Sequence, residues 1–164
     1  MLIDELKNIA RNNGIVGAGG AGFPAYAKMT EKADTVILNC VECEPLLKLH
    51  RQLLATHTEE IIQMLDEVRE SFGAKEAVIG IKSEYVTTIK AIEEVIGDFP
   101  NVRICALKAA YPMGDEVVLI YEATGRVIKP GGLPIDENVV VYNVETMYNL
   151  YRAVHLNIPV TNKL

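Results

Sequence analysis

Four short apolar runs lie along the chain, at 34–41, 75–82, 101–107 and 138–144. Each is rich in Val, Ile or other apolar residues and has the length of a strand that is buried on both faces. Between them lie longer stretches in which apolar residues recur every three or four positions, the spacing of one helix face. Strands that alternate with helices through short connections predict an α/β domain with a mostly parallel sheet and helices on both faces.

The helical stretches have recognisable beginnings and ends. The clearest carries Ile61, Leu65 and Val68 on one face, and it should end at Gly73. Thr56, with a glutamate three residues later, predicts a capping box at its start. The predicted helices cover 3–12, the segment after Pro45, the segment that ends at Gly73, 84–96, 115–124 and 145–155. This order predicts a Rossmann-like domain of three layers, preceded by a glycine-rich loop.

The composition is that of one compact domain. Of the 164 residues, 49% are apolar, which is enough for a single core. The net charge of −6 argues against a nucleic-acid-binding surface, since such a surface needs clustered Lys and Arg. No apolar run approaches the roughly 20 residues that span a bilayer, and the first residues lack the apolar centre of a secretion signal. We therefore expect a cytoplasmic protein that does not insert into a membrane.

A glycine-rich segment, GIVGAGGAGFP, separates the first helix from the first strand. Gly17, Gly19 and Gly22 have the G-x-G-x-x-G spacing, in which backbone N–H groups approach a phosphate without a Cβ in the way. A standard dinucleotide site has a strand directly before this pattern, whereas a helix precedes it here. Two interpretations stay open, a phosphate-binding loop and a flexible turn. Lys28 follows, either within reach of the same phosphate or as a solvated lysine.

The motif NCVECEP at 39–45 lies where the first buried strand ends and a helix follows. Ligands of open α/β sheets bind beyond the carboxyl ends of the strands, so this is the position of a ligand site. Glu42 and Glu44 are candidates to accept hydrogen bonds from sugar or ribityl hydroxyls. The alternative is that both are helix N-terminal carboxylates, favoured by the positive end of the helix dipole and by capping. Together with a phosphate loop, the acid pair predicts a nucleotide.

Two further segments follow predicted strands, YPMGDE at 111–116 and YNVET at 142–146. Tyr111 suits either packing or a ligand contact. Asn143 and Thr146 suit either a helix cap or a ligand contact. The chemistry of the residues alone therefore leads as far as a nucleotide site.

Three cysteines and three histidines offer weaker signals. Cys40 and Cys43 form a CxxC, which is compatible with zinc, a redox dithiol or part of an iron–sulfur site. Only Cys105 remains as a further thiol, so we expect no ordinary four-cysteine iron–sulfur cluster within this chain. A thiol-based redox or metal-binding protein that uses Cys40 and Cys43 stays open as one interpretation.

In order along the chain, GIVGAGGAGFP, NCVECEP, YPMGDE and GGLP followed by VVVYNVET resemble a known flavin-binding core. That core is shared by the NADH-oxidising flavoprotein subunit of respiratory complex I, the Rnf-complex C subunit and the cobalamin reductases. The resemblance covers nearly the whole chain and implies that the glycine loop binds flavin mononucleotide (FMN). Ala18 stands where the complex I relatives have an arginine and Val41 where they have an aspartate, which favours the Rnf-like branch.

The resemblance also implies individual contacts. The residues implied to hold FMN are Gly17, Gly19, Gly20, Ala21, Lys28, Asn39, Glu42, Tyr111, Gly114, Asp115, Asn143 and Thr146. The residues implied to hold NADH against the flavin are Phe23, Glu44 and Glu116. The flavin itself carries the chemistry in this family, so no catalytic side chain is implied.

By the same resemblance, residues 1–164 are a single FMN- and NADH-binding α/β domain, a fragment of a longer iron–sulfur flavoprotein. We expect an electron-transfer module that accepts hydride from NADH and passes electrons to an iron–sulfur partner or domain, peripheral to a membrane complex. The alternative is a non-catalytic nucleotide-binding or assembly module that retains the fold.

Overall fold

A computed structural model describes residues 1–17, 22–42, 48–108 and 116–160. In these segments the strands form one parallel sheet in the order β3-β2-β1-β4. The strands are β1 (Thr35–Cys40), β2 (Glu76–Lys82), β3 (Val102–Leu107) and β4 (Val139–Asn143). Each lies inside the apolar run that predicted it, and the predicted α/β class with a parallel sheet is confirmed.

Helices follow the strands as the sequence periodicity predicts. They are α1 (Ile3–Asn12), α2 (Leu49–Thr56), α3 (Thr58–Phe72), α4 (Val86–Val95), α5 (Glu116–Thr124) and α6 (Val144–Leu156). Short 3-10 turns occur at Ala25–Lys28, Ile96–Asp98 and Pro134–Glu137. Among the described helices, none combines the length and apolar character needed to cross a bilayer.

Helices cover both faces of the sheet, which gives the predicted three layers. On one face, Leu38 and Ile79 pack in a large buried cluster with residues of α1, α2, α3, α4 and α6. On the other face, Ile37 and Val78 pack with Leu119 of α5 in a smaller cluster. Because the inner strands are buried on both faces, the sequence shows continuous apolar runs instead of an alternating pattern.

Helix α5 approaches the sheet closely because β2 has a glycine beneath it. A Cβ at Gly80 would lie 2.4 Å from Leu119 Cδ1, closer than real Cβ contacts allow. Both residues are buried, and Leu119 is fully so. Since α5 begins at Glu116, this contact also fixes the position of a residue assigned to the predicted NADH site.

The capping box predicted at Thr56 is wrong. Helix α2 runs to Thr56, and α3 begins at Thr58 with His57 as its N-cap and no side-chain cap. The Thr56 hydroxyl donates to the Gln52 carbonyl at 2.8 Å and so belongs to the last turn of α2. A hydroxyl that bonds backward along its own helix cannot cap the next one, which sequence spacing does not reveal.

One ion pair ties the connection after α5 to the start of β1. Arg126 Nη1 donates to Asp34 Oδ1 at 2.6 Å and to the Glu137 carbonyl at 2.8 Å. Thr35 Oγ1 donates to the same carboxylate oxygen. Burial raises the pKa of Asp34, but these hydrogen bonds and the charges of Arg126 and Lys75 outweigh it and lower that pKa below its usual value.

We expect Arg126→Met to lower the melting temperature at pH 7 and to have a smaller effect at pH 3. A lowered carboxyl pKa contributes stability above the unfolded-state value of about 3.9 and loses it as the pH falls through the folded-state pKa. Both side chains are close to one-third exposed, at 32% and 31%, so the effect at pH 7 should not exceed about 1 kcal/mol, or roughly 2–4 °C.

Thermal melts between pH 3 and pH 7 test this ion pair. Asp34→Asn is the matched control, because it keeps the shape of the side chain and removes its titration. In an Asp34→Asn background, Arg126→Met should have the same small effect at every pH. A difference between wild type and Arg126→Met that does not change with pH would contradict the ion-pair explanation.

Candidate functional site

The glycine loop is closed at its base by backbone hydrogen bonds. Val16 and Pro24 form an antiparallel bridge, and the Gly17 N–H donates to the Phe23 carbonyl at 2.7 Å. Gly22 has a φ of 73°, a left-handed conformation that glycine adopts without strain. The two described ends of the loop therefore meet, with Phe23 at the exit.

Lys28 is held against β4, one of the two edge strands of the described sheet. It ends a 3-10 turn that follows the glycine loop, and its ammonium donates to the Val141 carbonyl at 3.2 Å. The buried Tyr142 hydroxyl donates to the Ala25 carbonyl at 3.3 Å and anchors the start of that turn. Burial raises the pKa of Tyr142, so its hydroxyl stays neutral. Lys28 is therefore directed to the sheet edge and is not a freely solvated lysine.

A cleft of about 390 Å³ lies beside β4. It joins Glu116 to Phe23 and Lys28, which lie in a much earlier part of the chain, and all three belong to the predicted flavin and NADH contacts. The remaining wall residues are mostly apolar and are Ala27, Thr30, Leu133, Pro134, Ile135, Val139, Val140 and Val141. Its volume falls within the range of small-molecule sites, roughly 300–1,000 Å³.

The wall formed by Leu133, Pro134 and Ile135 was missed by sequence reasoning. The GGLP motif was part of the family resemblance, yet none of its residues was assigned to the site. The signal that could have revealed it was the position of this turn-rich segment directly before an apolar strand. Such a segment must return to the sheet, and here it lines the cleft beside β4.

Two asparagines end neighbouring strands at the carboxyl edge of the sheet. Asn39 of β1 is the register partner of Asn143 of β4. Asn39 Oδ1 accepts the Val41 N–H at 2.9 Å, and Asn143 Oδ1 accepts the Thr146 N–H at 2.8 Å, which confirms the predicted cap of α6. Asn143 lies two residues beyond Val141, so the pair is about 7 Å along the strand from the carbonyl that the lysine contacts.

Glu42 lies under α2 and is 7% exposed. Its Oε1 accepts the His50 N–H in the first turn of α2 at 2.8 Å, so the helix-terminus interpretation describes this contact. Its Oε2 has no hydrogen-bond partner within the described structure and lies 4.0 Å from Arg51 Nε. A buried carboxylate oxygen without a donor costs free energy, which makes this atom a natural acceptor for a ligand hydroxyl.

Several predicted contacts lie outside the described residues. These are Gly19, Gly20, Ala21, Glu44, Tyr111, Gly114 and Asp115. Their assignment to FMN or NADH stays a prediction.

The cysteines were candidates for redox or metal chemistry. Cys40 is fully buried, and burial together with the charge of Glu42 raises its pKa to about 12. Burial also raises the pKa of Cys105, and Cys43 lies outside the described residues. Within the described ranges, no three or more His, Cys, Asp or Glu side chains form a group that could hold a metal. A thiol with a raised pKa is a poor nucleophile, which argues against a redox role for Cys40.

Comparison with known proteins shows the family to which the chain belongs. The family model of the Nuo51 FMN-binding domain matches residues 10–152. The chain is 40% identical over 158 residues to the cobalamin reductase PduS of Citrobacter freundii. It is 34% identical over 160 residues to the C subunit of the Na(+)-translocating ferredoxin:NAD(+) oxidoreductase complex of Acetobacterium woodii. These alignments cover 96% and 95% of the chain but 35% and 36% of the relatives, so the chain spans about a third of their length.

The fold is also found in solved structures. The NAD+-reducing [NiFe]-hydrogenase in its air-oxidized state matches with a TM-score of 0.77 and 25% identity. The match covers 93% of this chain and 30% of the hydrogenase chain. The arrangement of parallel sheet and covering helices is therefore shared over nearly the whole chain.

Proposed function

The chain belongs to the Nuo51 FMN-binding domain family, and we propose that it is an electron-transfer module that binds FMN, accepts hydride from NADH and passes electrons to an iron–sulfur partner. The observation that carries the proposal is the cleft that joins Phe23, Lys28 and Glu116 beside β4. The family resemblance assigns all three to FMN or NADH, although Glu116 is far from Phe23 and Lys28 in sequence.

The phosphate of FMN fits the lysine side of this cleft. The Lys28 ammonium now donates to one neutral carbonyl, and a phosphate would be the stronger, charge-assisted partner. The glycine loop, closed at Gly17 and Phe23, would contribute backbone N–H groups of the kind that bind phosphate in other proteins. The predicted contacts Gly19, Gly20 and Ala21 belong to this loop.

The remainder of FMN fits the walls and the carboxyl edge of the sheet. The apolar wall of Pro134, Ile135 and Val140 suits a flat aromatic ring system. Ribityl hydroxyls need acceptors and donors, and the Asn39 and Asn143 side chains end adjacent strands at this edge. Glu42 Oε2, which has no hydrogen-bond partner among the described residues, would accept one such hydroxyl. The residues present therefore fit the cofactor.

Bound FMN supplies a hydride acceptor that releases electrons singly, and the protein supplies binding and orientation. Phe23 is 54% exposed at the cleft, where its ring would stack on the nicotinamide nucleotide. Glu116 lines the same cleft, and its carboxylate would accept hydrogen bonds from NADH hydroxyl or amide groups. Glu44 is the third predicted NADH contact.

The onward acceptor in this proposal is an iron–sulfur domain or subunit. Support comes from the relatives, because one is named as part of a Na(+)-translocating ferredoxin:NAD(+) oxidoreductase complex. In the same proposal the chain is part of a longer iron–sulfur flavoprotein, and it acts in the cytoplasm at the periphery of a membrane complex.

Titration of the purified chain with FMN and with riboflavin, followed by flavin fluorescence, tests the proposal. FMN should bind more tightly than riboflavin, because only FMN carries the phosphate. Lys28→Met should weaken FMN binding by about tenfold through the lost charged hydrogen bond and leave riboflavin binding unchanged. Lys32→Met is the matched control, because Lys32 is exposed and does not line the cleft.

A folded wild-type chain that binds no FMN would refute the proposal and favour the alternative, a non-catalytic nucleotide-binding or assembly module. Equal loss of FMN and riboflavin binding in Lys28→Met would refute the phosphate role of the lysine. If FMN binds as expected, reduction of the bound flavin by NADH is the next measurement.

A further inference from the structure

The segment after β1 is held to β2 by a lysine side chain, just beyond the last residue pair of these two strands. The register of β1 and β2 runs as far as Cys40 and Ile81. Beyond it, the Lys82 ammonium donates to the Glu42 backbone carbonyl at 2.8 Å. Lys82 thus holds the backbone carbonyl of Glu42 just beyond the last described residue pair of the two strands.

The carboxylate of Glu42 is held from the opposite side by α2. Its Oε1 accepts the His50 N–H, and Arg51 Nε lies 4.0 Å from Oε2. The Arg51 guanidinium lies 4.5 Å from the centre of the Tyr85 ring, and the Lys82 ammonium lies 5.9 Å from the same ring. The aromatic face attracts both cations. The Tyr85 ring therefore interacts both with Lys82, which binds the Glu42 carbonyl, and with Arg51, which lies beside the Glu42 carboxylate.

We propose that Lys82 is a positioning residue of the flavin site, which acts through the Glu42 carbonyl. The inference rests on the proposed function, since the segment 39–42 carries two predicted FMN contacts, Asn39 and Glu42. Ordering a long lysine side chain costs conformational entropy, and an apolar side chain would fill the same space without needing a partner. The ammonium adds control over the direction of one backbone carbonyl, and that carbonyl belongs to Glu42, a predicted flavin contact.

The affected part of the ligand distinguishes this role from that of Lys28. Segment 39–42 lies along the sheet from the lysine that is proposed to bind phosphate, so it should contact the ribityl portion, which FMN and riboflavin share. Lys82→Met should therefore weaken the binding of FMN and of riboflavin by the same factor, about tenfold. Lys28→Met should weaken FMN binding alone.

Two variants serve as controls for Lys82→Met. Lys82→Arg keeps a cationic donor of similar length and should restore most of the affinity for both ligands. Lys90→Met removes an exposed lysine on α4 and should change neither affinity. Melting temperatures of all variants show whether a lower affinity results only from partial unfolding.

Amide exchange in the flavin-free protein tests the same contact without a cofactor. The Val41 N–H donates to Asn39 Oδ1 and the His50 N–H donates to Glu42 Oε1, so both amides report on the order of this segment. Lys82→Met should exchange these two protons at least about threefold faster than wild type. The amide of Ile62, in the middle of α3, should be unaffected.

Equal loss of both ligands, faster exchange at Val41 and His50, and rescue by Lys82→Arg support the inference. Unchanged affinities in Lys82→Met overturn it and leave the proposed function intact, even if the melting temperature falls. Absence of FMN binding by the wild-type chain overturns the proposed function and this inference together. Unchanged amide exchange would show that Lys82 does not hold Glu42, whatever the flavin affinities.

Discussion

Gly80→Ala should destabilise the protein by about 1–3 kcal/mol, or lower its melting temperature by roughly 2–12 °C. The added Cβ would lie 2.4 Å from Leu119 Cδ1, and the fully buried leucine has little room to move away. Glycine-to-alanine replacement also stabilises by restricting the unfolded chain, but only by about 0.4–1 kcal/mol. The overpacking effect is the larger one and should decide the sign.

Gly97→Ala is the matched control for this substitution. A Cβ at Gly97 would have no atom within 4 Å, and its backbone does not need a positive φ. The control should therefore be neutral or slightly stabilising in the same thermal melts. Equal destabilisation by both substitutions would mean that the loss of glycine, and not the contact with α5, is responsible.

A double-mutant cycle identifies the clashing partner. Leu119→Ala alone should cost about 2–5 kcal/mol, because it leaves a cavity in the smaller core. In that background the three atoms nearest to the Cβ at Gly80 are absent, so Gly80→Ala should become nearly neutral or favourable. The coupling energy between the two positions should then be at least about 1 kcal/mol. A cost of Gly80→Ala that is the same in both backgrounds would rule out Leu119 as the cause.

Phe23→Ala should lower the catalytic efficiency of NADH oxidation, kcat/KM, by about 30-fold in the FMN-loaded protein. Stacking of an aromatic side chain on a base contributes about 1–3 kcal/mol, and a loss of about 2 kcal/mol corresponds to this factor. The affinity for FMN should change little, because the proposed partner of Phe23 is the nicotinamide nucleotide. The rate at which NADH bleaches the visible absorption of the flavin gives the measurement.

Tyr121→Ala controls for the loss of an exposed aromatic ring. Tyr121 on α5 is 53% exposed, close to the 54% of Phe23, but it does not line the cleft. This control should retain wild-type efficiency with NADH. If Phe23→Ala reduces FMN affinity as strongly as it reduces NADH efficiency, Phe23 contacts the flavin and the assignment of NADH to this side chain fails.

Local features of the site followed from sequence because their causes are local. Asn143 caps α6 as predicted, since the cap depends only on the residues of one strand-to-helix turn. Its role toward FMN is a separate prediction. Glu42 had two possible roles from its position in the sequence, and the observed bond to His50 confirms the helix-terminus contact.

Other features depended on residues that are distant in sequence. Neither the end of α2 at Thr56 nor the contact of Leu119 with Gly80 can be recognised in the local sequence pattern. The glycine in β2 signals only that something approaches closely, and not which helix does so. The cleft wall at Leu133 likewise depends on the tertiary structure, because it forms where this segment packs beside β4.

The sequence by itself determined the four parallel strands, the helices around them and the family, because apolar periodicity and ordered motifs are properties of a linear chain. The tertiary structure decided the strand order β3-β2-β1-β4 and the cleft beside β4. It also decided that Lys82, forty residues away in sequence, donates a hydrogen bond to the Glu42 carbonyl. The physical reason is that the backbone of each strand can form hydrogen bonds with any other strand. Only the simultaneous packing of all the helices therefore selects which strands are neighbours and which side chains meet.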